Sequence, residues 1–144
     1  MLSYQHAYHA GNFADVVKHI TLSLICKYIT QKDNPLFYLE THAGRGMYDL
    51  CSPIAHKTAE FKTGVLPLWQ NRNKLPAVFQ PWLKVIEQYN NDSLNMYPGS
   101  PLFALQSLRT QDRFHFCELH PTEFEHLRKL VRPHRKLRYF FEDG

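Results

Sequence analysis

The stretch Leu36-Phe37-Tyr38-Leu39-Glu40-Thr41-His42-Ala43-Gly44-Arg45-Gly46 decides the fold class. Four consecutive apolar residues after a turn at positions 32–35 predict a short buried strand of a parallel sheet. The strand ends at Glu40 and passes at once into a loop with two glycines. Glycine tolerates positive φ and lets a ligand approach the backbone closely. The segment can be an ordinary glycine turn or a loop that lines a ligand site. It misses the full GxGxxG dinucleotide fingerprint because position 49 is Asp. A nucleotide-dependent oxidoreductase is therefore poorly supported.

Upstream, Asn12 is placed to cap a helix, with Asp15 in the first turn complementing the dipole. Phe13, Val17, Ile20, Leu24 and Tyr28 recur at helical spacing and predict an amphipathic helix to about residue 30. Downstream, Pro53, Pro67, Pro76 and Pro81 break residues 47–98 into short pieces, of which 77–89 is the best helix. Pro98-Gly99-Ser100-Pro101 opens another helix over 102–108, with Ser100 as its expected N-cap. Phe114-His115-Phe116-Cys117 reads as a second strand ending at Glu118. Pro121 starts a helix to about residue 131, and residues 137–141 form a third strand before Glu142-Asp143-Gly144. The order is strand, insertion, strand, helix, strand. An open α/β sheet gathers its ligand groups at the carboxyl ends of such strands.

Glu118 stands where a Rossmann-like site holds ribose hydroxyls, although its distance from the glycine loop far exceeds the usual separation of about 20 residues. An inserted subdomain explains the excess, and a solvated strand-end acid is the competing reading. Asp143 can accept from a purine amino group or serve as a plain turn residue. Arg128, Lys129, Arg132, Arg135, Lys136 and Arg138 form either a solvated face or a phosphate-binding one. Tyr4, His6, Tyr8 and His9 offer planar groups for base stacking, or pack on the core as an ordered terminus.

The 144 residues fit one domain, and a net charge of +4 permits a polyanionic partner without requiring one. Cys26, Cys51 and Cys117 are odd in number and contain no CxxC pair, so no disulfide framework or zinc knuckle is expected. Among nine histidines the only close pair, His6 and His9, lacks a third ligand nearby, so no metal is expected. The apolar run at 20–29 is interrupted by Ser23 and Lys27 and cannot span a membrane, and no signal peptide is recognisable at the N-terminus. A cytoplasmic setting is the expectation.

Five blocks then carry a resemblance. Leu2-Ser3-Tyr4, His6, His9-Ala10-Gly11-Asn12, Ala14-Asp15-Val16 and Lys18-His19 form the first, which is long and specific. Thr41-His42-Ala43-Gly44 with Gly46 and Tyr48, Tyr97-Pro98-Gly99-Ser100-Pro101, Glu118-Leu119-His120-Pro121 and Asp143-Gly144 follow in order. Together they resemble the RlmJ (YhiR-like) family of S-adenosylmethionine-dependent 23S rRNA adenine-N6 methyltransferases, over its N-terminal half.

The resemblance implies an α/β fold: a Rossmann-like class I methyltransferase with a mostly parallel sheet, incomplete in this chain, and a small helical insertion. Residues 1–46 would supply the arm, helix, first strand and glycine loop, residues 47–98 the insertion, and residues 99–144 the continuation. It implies a cofactor site of His19, His42, Gly44, Gly46, Ser100, Glu118, Asp143 and Gly144. Glu118 would hold the ribose, Asp143-Gly144 would border the adenine, and the two loop glycines would pass the methionine end. Tyr4 and Lys18 would meet the RNA, expected as protein-free 23S rRNA, with a monomeric enzyme and no metal. The family's Asp-Pro-Pro-Tyr motif, which accepts hydrogen bonds from the target amine, is not in these residues and is expected beyond Gly144. This chain alone is therefore expected to be inactive, with a sheet edge and an apolar face uncovered. The alternative is a non-catalytic module that binds nucleotide or RNA.

Overall fold

A computed structural model describes residues 5–133 and 137–144. Asn12 caps α1 (Phe13–Ile29), its side chain accepting the backbone N–H of Asp15 at 2.9 Å. The apolar stripe of this helix does not turn inward as helical amphipathicity would have it. Phe13 is 74 % and Tyr28 73 % exposed, Val17 is exposed as well, and Ile20 and Leu24 are only partly buried. The inward face is Asp15, Val16, His19, Ser23 and Cys26. That polar face can be buried because its groups are bonded: the Ser23 hydroxyl donates to the His19 carbonyl at 2.8 Å, and Asp15 is enclosed by donors described below.

The main sheet is parallel, with β1 (Phe37–Glu40) beside β4 (Arg113–Cys117) and β4 beside β5 (Leu137–Phe140). Phe37 pairs with Arg113 and Glu40 with Phe116. Burial was expected for β1, but it is an edge strand, and Phe37 and Leu39 are 65 % and 54 % exposed. Helices cover only the other face, where Tyr38, Phe114 and Phe116 pack with Ala104, Leu127 and Val131. The edge of β1 and an apolar surface at Phe37 and Leu39 are thus uncovered among the described residues. Asp112, 1 % exposed, pins the start of the pairing: it accepts the N–H groups of Leu36 at 2.8 Å and Arg109 at 2.7 Å.

Between β1 and β4 lies a second sheet that the sequence pattern did not announce. Strands β2 (Met47–Asp49) and β3 (Met96–Pro98) pair antiparallel, with Tyr48 opposite Tyr97. They bracket α2 (Pro53–Thr58), α3 (Val65–Gln70) and α4 (Gln80–Glu87), joined by short 3-10 turns. The helix expected over 77–89 begins instead as a 3-10 turn at Ala77–Phe79. The α-helix starts only where Pro81 falls in its first turn, a position that needs no N–H. Trp69, Trp82 and Ile86 from this segment share one core with Val16 of α1 and Phe103 of α5 (Ser100–Ser107).

Ser100 is not the cap of α5. Gly99 takes that position without a side-chain bond, and Ser100 is the first helical residue, its hydroxyl donating across to Glu40. Helix α6 (Pro121–Val131) joins β4 to β5 over the expected residues. All three cysteines are free, and no helix among the described residues is long and apolar enough to cross a membrane.

Candidate functional site

A cavity of about 750 Å³ opens where β1 and β4 end, with α1 and the start of α5 as its other walls. His19, His42, Gly44, Ser100, Glu118, Asp143 and Lys18 all line it. Elements far apart in sequence converge here because parallel strands deliver their carboxyl ends to one edge.

Glu118 ties the strand ends together. Its Oε2 accepts the Gly44 N–H at 2.7 Å, and its Oε1 accepts the His120 N–H at 2.7 Å. Two backbone donors orient the carboxylate and leave lone pairs on both oxygens for a ligand. Gly44 has φ +66°, and a Cβ there would fall 2.7 Å from the Tyr48 hydroxyl oxygen. The glycine requirement is therefore both conformational and steric.

Gly46 and Gly144 stand behind the wall. Gly46 has φ +80°, and a Cβ on it would lie 2.6 Å from Leu130 of α6. Its carbonyl accepts the Gly99 N–H at 2.8 Å. Gly144 lies against Thr41, a wall residue, with no room for a side chain. Tyr4 falls outside the described residues. Arg135 and Lys136 of the basic run do too, whereas Arg128 pairs with Glu125 at 2.9 Å on the exposed side of α6.

The α1 wall carries a charged cluster. Asp15, 2 % exposed, receives His6 Nε2 at 2.7 Å, the Gly11 N–H at 3.0 Å and Lys18 Nζ at 3.1 Å. Burial raises the Asp15 carboxyl, but the His6 bond and the charges of His6 and Lys18 outweigh it and hold the group well below the usual carboxylate range. His19, 1 % exposed, is pushed down to about 3 by burial and is neutral. Its Nδ1 lies 3.0 Å from the Tyr97 hydroxyl, while Nε2 is buried with no partner among the described residues. His120 Nδ1 is likewise unpaired.

At the end of β1, Glu40 accepts hydroxyl bonds from Tyr38 at 3.1 Å and from Ser100. Burial raises its carboxyl to about 7, against the lowering effect of those bonds and of Lys18. At the cavity wall, Arg45 grips Glu123 bidentately, with Nε–Oε2 at 2.8 Å and Nη2–Oε1 at 2.5 Å.

The roles of Asp15, Thr41, His120 and Glu123 as wall residues were not foreseen from sequence. Thr41 adjoins His42, so adjacency was an available signal there, whereas Asp15, His120 and Glu123 lie two to five positions from a foreseen residue and are brought in by the fold. His6 and His9 do not converge, since His9 Nδ1 meets Glu60 Oε1 at 2.8 Å. Among the described residues, His115, Cys117 and Glu142 bring potential ligand atoms within 4.8 Å of one another. Their separations from Glu142 Oε1, 3.5 Å and 3.7 Å, are accounted for by weak hydrogen bonding, and none of the three lines the cavity.

Parallel strands that present a glycine loop, the Glu118 carboxylate and Asp143 around one cavity are the arrangement of a Rossmann-like fold, and the chain's relatives place it among methyltransferases. A family model described as "Ribosomal RNA large subunit methyltransferase D, RlmJ" matches residues 33–144. The "Ribosomal RNA large subunit methyltransferase J" of Escherichia coli (strain K12) is 43 % identical over 145 residues, covering 100 % of this chain and 51 % of that protein. Its namesake in Haemophilus influenzae is 45 % identical over 130 residues, covering 89 % and 46 %. The crystal structure of protein LPL1258 from Legionella pneumophila is similar at TM-score 0.88 and 52 % identity, over 94 % of this chain and 50 % of that one. The chain belongs to the RlmJ family. It spans about half the length of the curated relatives it matches.

Proposed function

We propose that this chain binds S-adenosylmethionine and forms the cofactor-holding part of an enzyme that methylates the N6 amine of an adenine in 23S rRNA. The observation that carries the reading is Glu118, oriented by two backbone donors at the rim of a cavity that also holds an unpartnered buried histidine nitrogen. The cavity's donors and acceptors suit a nucleoside with a polar amino-acid tail. Glu118 would take the ribose hydroxyls, Asp143 the purine edge, and the backbone at Gly44 the approach of the tail. When bound, the cofactor supplies an electrophilic sulfonium methyl. The chain's own part is to orient it, to keep it beside neutral His19 and the Asp15 carboxylate, and to exclude water. His42 and Ser100 complete the wall.

Lys18 and Tyr4 are assigned to the RNA, and residues 47–98 to an RNA-facing insertion. The substrate would be protein-free rRNA in the cytoplasm and the enzyme a monomer. No Asp-Pro-Pro-Tyr occurs in the 144 residues, so the amine-binding step is not assigned to them, and for the isolated chain a binding module without methyl transfer is the second reading. Calorimetry with S-adenosylmethionine tests the cofactor site. Binding by the wild type that weakens in His19→Ala and Glu118→Ala is expected, and unchanged affinity in both variants would remove the site assignment.

A further inference from the structure

The two nitrogens of His19 have different surroundings. Nδ1 meets the hydroxyl of Tyr97, a residue with no exposed surface, at 3.0 Å. Nε2 has no partner among the described residues, although His19 is part of the cavity wall. We propose that Tyr97 is a positioning residue that locks His19 in the Nε2–H tautomer, giving the cavity one fixed, uncharged hydrogen-bond donor for an acceptor atom of the ligand.

The direction of the 3.0 Å bond follows from relative acidity. A phenol O–H is the stronger acid and an imidazole nitrogen the stronger base, so the phenol donates and Nδ1 accepts. A neutral imidazole then carries its proton on Nε2. The ring cannot readily exchange the two nitrogens. It stacks on Phe103 with centroids 4.7 Å apart and planes 26° apart, and Tyr97 lies 5.5 Å away. The Asp15 carboxylate makes its bonds elsewhere, to His6 and Gly11 at Oδ2 and to Lys18 at Oδ1. Burial also keeps the ring uncharged well below neutral pH. An uncharged donor is what a ligand bearing both acceptor atoms and a positive sulfonium requires, because an imidazolium would repel the sulfonium. This last point rests on the cofactor reading; the tautomer does not.

The sequence position adds a link. Tyr97 sits on β3, the strand that returns from the insertion and leads through Gly99 to Ser100. One segment therefore supplies a wall residue directly and sets another's proton.

The test uses the chain labelled with 15N-histidine. In long-range proton–nitrogen spectra at neutral pH, the His19 signal, assigned by its loss in His19→Gln, should show a protonated Nε2 and a bare Nδ1. Tyr97→Phe should mix the tautomers and weaken S-adenosylmethionine binding by about fivefold to tenfold, as for one neutral hydrogen bond. A wild-type Nδ1–H tautomer, or an unchanged tautomer in a folded Tyr97→Phe, would overturn the proposal. If Tyr97→Phe does not fold, the wild-type spectrum decides alone. Absence of cofactor binding by the wild type would sink the methyltransferase reading and leave the tautomer result standing.

Discussion

The backbone N–H of Gly44 donates to Glu118 Oε2 at 2.7 Å, joining the loop after the edge strand to the carboxylate after the central one. The bond makes the two signature elements of the site a single unit. A change in either should be felt by the other.

Gly44→Ala is the first case. At φ +66°, with the added methyl 2.7 Å from the Tyr48 oxygen, alanine should cost about 1–3 kcal/mol of stability. It should also weaken S-adenosylmethionine binding, since the N–H that orients Glu118 moves with the loop. Urea denaturation and calorimetry measure the two, and an unchanged denaturation midpoint would contradict the strain argument.

Glu118→Gln keeps the shape but removes the charge and replaces one acceptor by an amide donor facing a backbone N–H. Cofactor affinity should fall about 10-fold to 100-fold, with about 1–3 kcal/mol of stability lost as one backbone N–H gives up its acceptor. A large stability loss at unchanged affinity would make Glu118 structural instead.

Arg45→Ala tests the buried pair at the cavity wall. Glu123, 4 % exposed, would lose both guanidinium bonds and remain as a buried charge without them. A loss of about 3–5 kcal/mol is expected, with most of it recovered in Arg45→Met/Glu123→Leu. Chemical denaturation of the three variants separates the cost of a stranded charge from the worth of the pair.

The pH dependence of stability follows from His19. The unfolded imidazole takes up a proton near 6.5, whereas burial holds the folded one down to about 3. Its contribution is intact above 6.5 and is lost as pH falls between those values, by up to about 1.4 kcal/mol per unit. Glu40 has the opposite sign. Burial raises it to about 7, so folding gains as pH falls from there toward the ordinary value of 4.5. The wild-type curve should therefore be nearly flat between 6.5 and 4.5. His19→Gln should expose the Glu40 slope, with stability rising toward acid, and Glu40→Gln the reverse. Parallel curves for all three proteins would refute both shifts.

Much of this architecture was legible in the residues because short signals agreed with one another. Asn12 with Asp15 marked the start of α1, and Pro121 that of α6. The strand ends at Glu40, Glu118 and Asp143 led to the ligand edge of the sheet. Three features escaped. The side of α1 that is buried could not be read from apolar spacing, because Asp15, His19 and Ser23 are stabilised by bonds to distant or backbone groups. Ser100 read as a cap because serine caps helices locally, and its partner Glu40 lies sixty positions away. The β2–β3 pair is three residues per strand and joins segments with no shared pattern. For Ser100 and for the β2–β3 pair the deciding partner is distant in sequence, whereas on α1 polar groups within nine residues bond to one another and go inward together.

The Gly99 N–H to Gly46 carbonyl bond, continued by the β2–β3 pairing, brings the two ends of the intervening segment together. Lengthening a loop whose ends already meet costs chain entropy only logarithmically, so extra residues at its outer turns should leave the cavity wall where it is. Excising the segment is another matter. Trp82 and Ile86 lie in the same core as Val16 and Phe103, and their removal would strip the inner faces of α1 and α5. The segment should therefore tolerate insertions at its tips but not the loss of its base.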